Sequence, residues 1–258
     1  MIKTKNNSGN YDTTINVIGG LKDCSIIYHA VDSFFADGNL RSDNTVVLRT
    51  EKSRKRVQVA IKEGVLKFYN QEHKELLESI FKSYMPTHEK EMVLFWQFAL
   101  CNRLFREISL DVFLKIYFSG RATISKEDIA GYLKDLINRN ENSKIKWTEN
   151  TTMTLATKYL NFLTKLSILE GERTKTVRNI KLSSELLVLF LYFVRIYDKR
   201  NNILQNEMLP FSFVSRDDFS AKLKKLALKG FFNMNFTGNV LNVELTHSYQ
   251  GICDVLYN

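Results

Sequence analysis

The sequence predicts a mainly α-helical fold, an N-terminal helical bundle followed by winged helix-turn-helix-like units that carry short β-hairpins. Three observations predict it. Apolar residues recur with a period near 3.6 through most of the chain. Only 2 Pro and 11 Gly interrupt 258 residues, so few helix breaks are forced. Twice, at 147–182 and 215–245, a helical pattern runs into two short strand-like runs joined across a glycine. The expected divisions are a tail (1–13), the bundle (14–120), a winged-helix-like unit with a long buried helix (121–200), and a C-terminal helix and hairpin (201–258).

Residues 1–13 are polar and are expected to form a mobile tail. Gly19-Gly20 opens the first structured piece, where Ile27, Val31 and Phe34 or Phe35 mark a helix that stops at the turn formers Ala36-Asp37-Gly38-Asn39. A short apolar run, Thr45-Val46-Val47-Leu48, leads to Thr50 as N-cap of a helix over 51–66. There Val57, Ile61, Val65 and Phe68 share one side, and Arg54, Lys55, Gln58 and Lys62 the other. Leu76, Leu77, Ile80 and Phe81 carry a helix over 71–84 that ends near Pro86. Residues 88–107, with Trp96 among them, are apolar round most of the circumference and predict one central buried helix. The bundle continues over 110–117 to Gly120.

Ser125 and Asp128 predict a variant capping box for a helix carried by Ile129, Leu133, Leu136 and Ile137. An Asn/Lys-rich connection, 138–146, follows, and Trp147 is expected to staple the next helix. That helix, from Asn150 to Leu166, has Leu155, Tyr159, Phe162, Leu163 and Leu166 on one face. Thr151, Thr154, Lys158, Asn161 and Lys165 form a column on the other, with hydroxyls, an amide and two cations but no carboxylate. Such a face suits a groove of nucleic acid, because ammonium groups neutralise phosphates while amides and hydroxyls reach base edges. Ile168-Leu169 and Val177, Ile180 and Leu182 predict a hairpin bearing Arg173, Lys175, Arg178 and Lys181, the wing of a winged helix. Cations there can grip the backbone beside the groove; they also protect strand edges from aggregation.

Ser183 then caps a helix reaching Arg200, apolar all round through 186–194 and therefore buried. A loop over 201–213 precedes a helix started by Ser215 and Asp218, with Phe219, Leu223, Leu226 and Leu228 apolar and Lys222, Lys224, Lys225 and Lys229 basic. Runs at 231–236 and 240–245 form a hairpin across Thr237-Gly238-Asn239, a partial repeat of the winged pattern, and 251–257 closes as a short helix.

With 44 % hydrophobic and 12 % aromatic residues, the chain is not a disordered one. Its net charge of +9 makes a polyanion the natural partner, since neutralised phosphates release counterions. Cys24, Cys101 and Cys253 are odd in number and far apart, which points to neither disulfides nor zinc and fits a reducing cytoplasm. The polar N-terminus resembles no signal peptide, and the longest apolar run is too short to span a bilayer that needs roughly 20 residues. His29, His73, His88 and His247 sit in separate elements and are expected to be surface or partly buried imidazoles. Neither a phosphate-cradling glycine loop nor a GxSxG elbow occurs, so no catalytic group, metal, cofactor or small-molecule substrate is expected.

The order of features resembles the BrxA family of bacterial BREX (bacteriophage exclusion) defence systems. The resemblance rests on Gly19-Gly20-Leu21, on Asn44-Thr45-Val46-Val47-Leu48 followed by 49–56, on Gln97-Phe98-Ala99-Leu100-Cys101-Asn102-Arg103 with Asp111-Val112-Phe113-Leu114, and on Trp147-Thr148-Glu149-Asn150-Thr151 with 163–171. It runs from about Thr14 to Val194, and the extension after Asn201 departs from it. It implies a non-enzymatic, mostly helical protein that binds double-stranded DNA and serves phage restriction beside other BREX components. The expected contact is sequence-tolerant, through the column from Thr151 to Lys165 and the wing, with Arg54, Lys55 and Arg56 as a second basic contact. An assembly adaptor with incidental DNA affinity is the competing reading. It expects an exposed apolar patch on the helix from Ser183 or on the C-terminal hairpin.

Overall fold

The computed structural model describes residues 11–38, 40, 50–139, 145–200 and 202–257. The apolar run 45–48 and residues 1–10 of the expected tail lie outside the described residues. Helix α1 (Ile15–Ile18) is a single turn ahead of Gly19-Gly20, and both of its isoleucines are fully buried. Helix α2 (Ser25–Asp37) ends at Gly38, whose φ of 74° is the left-handed stop that the turn cluster predicted. Thr50 caps α3 (Glu51–Gly64) by accepting from the Ser53 amide, and Asn70 caps α4 (Gln71–Lys82) by accepting from that of His73.

The single helix expected over 88–107 is two, α5 (Thr87–Cys101) and α6 (Arg103–Ile108). Asn102 separates them with an extended backbone, φ −117° and ψ 107°. Its side chain accepts from the Phe105 amide at 2.8 Å and donates to the Asp12 carbonyl at 3.2 Å. A short amide side chain that competes for backbone hydrogen bonds turns a continuous apolar run into a cap. A π-helical turn, Ser109–Phe113, leads into α7 (Leu114–Phe118).

Strand β1 (Thr123–Ile124), absent from the sequence expectation, precedes α8 (Lys126–Arg139). The capping box forms as expected: the Asp128 carboxylate accepts from the Ser125 amide at 2.8 Å, and Ser125 Oγ accepts from that of Asp128 at 3.2 Å. Helix α9 (Glu149–Lys165) is capped by Thr148 and followed by β2 (Leu169–Glu170) and β3 (Lys175–Val177). The three strands pair antiparallel in the order β1-β3-β2, with Thr123 opposite Thr176 and Leu169 opposite Val177. Trp147 packs its ring 6.1 Å from that of Tyr11, a partner distant in sequence.

Helix α10 (Ser184–Tyr197) is buried along Leu186 to Val194, so the apolar run lies inside the molecule. Most of the expected loop, over 202–213, is buried or half-buried too. It makes 3-10 turns at Ile203–Gln205 and Leu209–Ser212, and Ile203, Met208 and Phe211 are at most 1 % exposed. The Trp96 indole donates to the Phe211 carbonyl at 3.0 Å, which satisfies backbone that burial would otherwise penalise. Phe190 and Phe193 pack on Trp96 at ring separations of 5.2 and 5.5 Å. Each such ring buries roughly 150–250 Å², about 4–6 kcal/mol of transfer free energy before entropy is counted.

Helix α11 (Arg216–Ala227), capped by Ser215, packs Phe219, Leu223 and Leu226 inward. Leu228, expected on that apolar face, lies one residue past the helix and is 90 % exposed. Strands β4 (Phe232–Phe236) and β5 (Leu241–Leu245) form the expected hairpin, with Phe236 opposite Leu241, and α12 (Ile252–Tyr257) follows. His73 is the other correction, because its imidazole is fully buried and not at the surface.

Candidate nucleic-acid interface

Helix α9 begins where Thr148 accepts from the Thr151 amide, and its apolar side, Leu155, Tyr159, Phe162 and Leu163, enters the core. The side left open is a stripe through Asn150, Thr154 and Thr157, with Asn161 half-buried at its end. These positions are three or four residues apart and so share one face. The Thr154 hydroxyl donates to the Asn150 carbonyl at 2.8 Å and that of Thr157 to the Met153 carbonyl at 2.9 Å. Their protons are therefore spent within the helix, and what they turn outward is methyl surface and acceptor oxygen. Thr151, expected on the open face, is half-buried in the cap, 3.0 Å from the Thr148 hydroxyl.

The hairpin β2–β3 stands beside this stripe. Gly171, with φ 90°, makes its turn, and a Cβ there would come within 2.3 Å of the Thr174 carbonyl oxygen. Arg173 is exposed at the tip. Lys175 folds back and donates to the Gly171 carbonyl at 2.7 Å, while Arg178 pairs with Glu170 at 3.5 Å. A cavity of about 260 Å³ lies between the hairpin, α9 and the start of α8, lined by Lys126, Arg173 and Lys175, by the carboxylates Glu127 and Glu172, and by Thr157 and Asn161 among others. Thr157 and Lys126 escaped the sequence reading. Thr157 continues the Asn150–Thr154 period and was legible in principle; Lys126 comes to α9 only through the fold. The start of α8 is already occupied by Asp128, whose carboxylate Arg121 grips at 2.9 and 2.8 Å. What the cavity offers an anion is therefore Arg173, Lys175 and Lys126 and not that helix end, with Lys126 paired to Glu127 at 4.0 Å and Glu172 beside them.

Lys158 and Lys165 are placed differently from the expectation. They are half-buried beside Gly19 and Gly20, where α1 packs against α9. The Lys165 ammonium donates to the Gly19 carbonyl at 2.9 Å. Burial lowers its pKa below the ordinary lysine range, and the charges of Lys158 and Lys175 add to that effect. Lys158 and Lys165 thus bring their ammonium groups to the Gly19-Gly20 side of α9. Arg54, Lys55 and Arg56 are exposed on α3, with Lys55 paired to Glu51 at 2.6 Å. Helix α1 lies against both α3 and α9, so the second basic surface is joined to the first through α1.

Among the described residues no group of three or more His, Cys, Asp or Glu is placed to hold a metal, and no helix is long and apolar enough to cross a membrane. Cys24, Cys101 and Cys253 form no disulfide. Burial raises the thiol of Cys253 to about 11 and those of Cys24 and Cys101 to about 12, which disfavours their thiolates.

No curated protein and no solved structure matches the chain. The family model described as BrxA matches residues 26–191, more than half of the chain. All of β1–α8–α9–β2–β3 falls within that match, whereas α11, β4 and β5 lie beyond it. The chain belongs to the BrxA family, proteins of BREX phage-defence systems.

Proposed function

We propose that the chain is a non-enzymatic protein that binds double-stranded DNA with low sequence specificity through a winged helix-turn-helix and acts beside other BREX components. One observation carries the reading. The order strand-helix-helix-hairpin, with pairing β1-β3-β2, sets the open polar stripe of α9 and the cations of the hairpin round one cavity. In such a unit the second helix enters a major groove and the hairpin follows the neighbouring backbone. Arg173, Lys175 and Lys126 contact phosphates. Asn150, Thr154, Thr157 and Asn161 face the groove with methyls, acceptors and two amides, a set too undemanding to insist on one base sequence. Arg54, Lys55 and Arg56 add a backbone contact from α3.

The apolar patch that the adaptor reading expects has little surface on these elements, since α10 is enclosed and the hairpin β4–β5 turns Phe232, Leu241 and Val243 inward. Fluorescence anisotropy with labelled duplexes tests the proposal. Unrelated DNA duplexes of equal length are expected to bind within a few-fold of one another and to outcompete an RNA duplex, whose major groove is too narrow for a helix. Equal competition by RNA, or no binding to DNA, overturns it.

A further inference from the structure

We propose that α11 and the turn that follows it form a second contact to the phosphate backbone of duplex DNA, apart from the one at α9. The choice of duplex DNA as partner rests on the function proposed above; the surface itself does not. In both units a helix ends in a tight turn made by a left-handed residue and passes directly into a hairpin. After α9 that residue is Ser167, φ 56°, whose amide donates to the Thr164 carbonyl at 3.1 Å. After α11 it is Gly230, φ 81°, whose amide donates to the Ala227 carbonyl at 3.0 Å. The same local device therefore aims two helix-hairpin pairs, and the second lies outside the BrxA match.

The outward side of α11 is cationic. Lys222 and Lys225 stand three residues apart on it with Lys224 alongside, Lys229 follows in the turn after the helix, and all four are exposed. Among the described residues none of the four stands in an ion pair. Asp217 and Asp218 are confined to the first turn, where Ser215 donates to Asp218 at 2.6 Å in the cap. The helix dipole favours cations in a last turn. It does not account for Lys222, in the middle of the helix. At ~1.5 Å per residue Lys222 to Lys225 extend over about 4.5 Å of helix, Lys229 adds a cation from the turn beyond, and one DNA strand presents a phosphate about every 3.4 Å of axis, so the row faces about two to three phosphates. The Lys224 ammonium stands 5.1 Å from the centre of the Phe236 ring, which ties helix to hairpin. Asn233 and Asn235 alternate with Phe236 and lie on the hairpin's other face, where the Asn233 amide donates to Glu244 at 3.4 Å, so they take no part in this contact. Leu228 is the one large apolar side chain exposed beside the lysines, too little for an amphipathic helix to lie in a bilayer surface.

The test compares duplexes of about 10 and about 40 base pairs, roughly 34 and 136 Å long. With Lys222→Ala, Lys225→Ala and Lys229→Ala combined, the long duplex is expected to bind about tenfold more weakly, with a log-log salt slope lower by about two to three. Binding to the short duplex is expected to change little, and the corresponding triple Lys→Arg variant to restore the long-duplex affinity at an unchanged melting temperature. Unchanged affinity and slope on the long duplex overturn the proposal. So does loss of binding to phosphatidylserine vesicles with duplex binding intact. If Arg173→Ala with Lys175→Ala changes nothing while the α11 variant weakens binding, the α9 reading falls and this one stands.

Discussion

Lys165 on α9 donates its ammonium proton to the carbonyl of Gly19, 2.9 Å away and 146 positions earlier in the chain. A cation whose spacing assigned it to a groove therefore fastens α1 across the side of α9. Lys165→Ala should accordingly lower stability by about 1.5 kcal/mol, the worth of a charge-assisted hydrogen bond. Denaturant unfolding measures it, and the salt dependence of DNA binding should stay as in the parent protein.

Gly19 has an ordinary helical backbone, φ −68°, so its requirement is one of space. A Cβ would sit 2.1 Å from the Lys158 carbonyl oxygen, an atom of helical backbone that cannot turn aside. Gly19→Ala is expected to cost about 2–3 kcal/mol through forced separation of α1 from α9. Gly131, exposed in the middle of α8, has nothing within 4 Å of its missing Cβ. Gly131→Ala should raise stability by about 0.5–1 kcal/mol, and thermal melts of the two variants should move in opposite directions.

His73 accepts from the Tyr69 amide at Nδ1, 3.2 Å, and so donates from Nε2 to Gln97 at 2.6 Å. A second ring proton would meet an amide hydrogen, and burial lowers the pKa to about 4 against an ordinary 6.5. The unfolded chain therefore takes up this proton first. Stability from the neutral ring is complete above pH of about 6.5 and falls as pH drops toward about 4, by up to about 3 kcal/mol. Unfolding in urea across that window should show the fall, and His73→Gln should start lower and lack this part of the slope.

The bond from Trp96 to the Phe211 carbonyl joins α5 to the buried segment ahead of α11. Trp96→Phe keeps an aromatic ring but strands a buried acceptor and leaves a void, at a cost of about 2–4 kcal/mol. Hydrogen exchange should quicken in the 203–213 segment before it does in α9.

Several local signals were legible: Thr50, Ser125 with Asp128, Ser183 and Ser215 all cap where their residue types predict, whereas the caps at Asn70, Asn102 and Thr148 were not read. The hairpin β4–β5 was legible as well, because alternation and a glycine turn are properties of adjacent residues. Strand β1 was not, since two residues carry no period and the pairing with β3 is set by the fold. Periodicity also identified the polar side of α9 but not the neighbour that covers it. Thr154 and Asn161 remain on or beside the open stripe, whereas Thr151, Lys158 and Lys165 turn toward the cap and α1. Composition marked 201–213 as a loop, and only packing against Trp96 makes it interior.

The most direct test of DNA binding by α9 and its hairpin is a salt titration of duplex affinity for Arg173→Ala with Lys175→Ala beside the parent protein. Removing two phosphate contacts should lower the log-log slope by about two and weaken every duplex sequence alike. An unchanged slope and affinity would contradict the account.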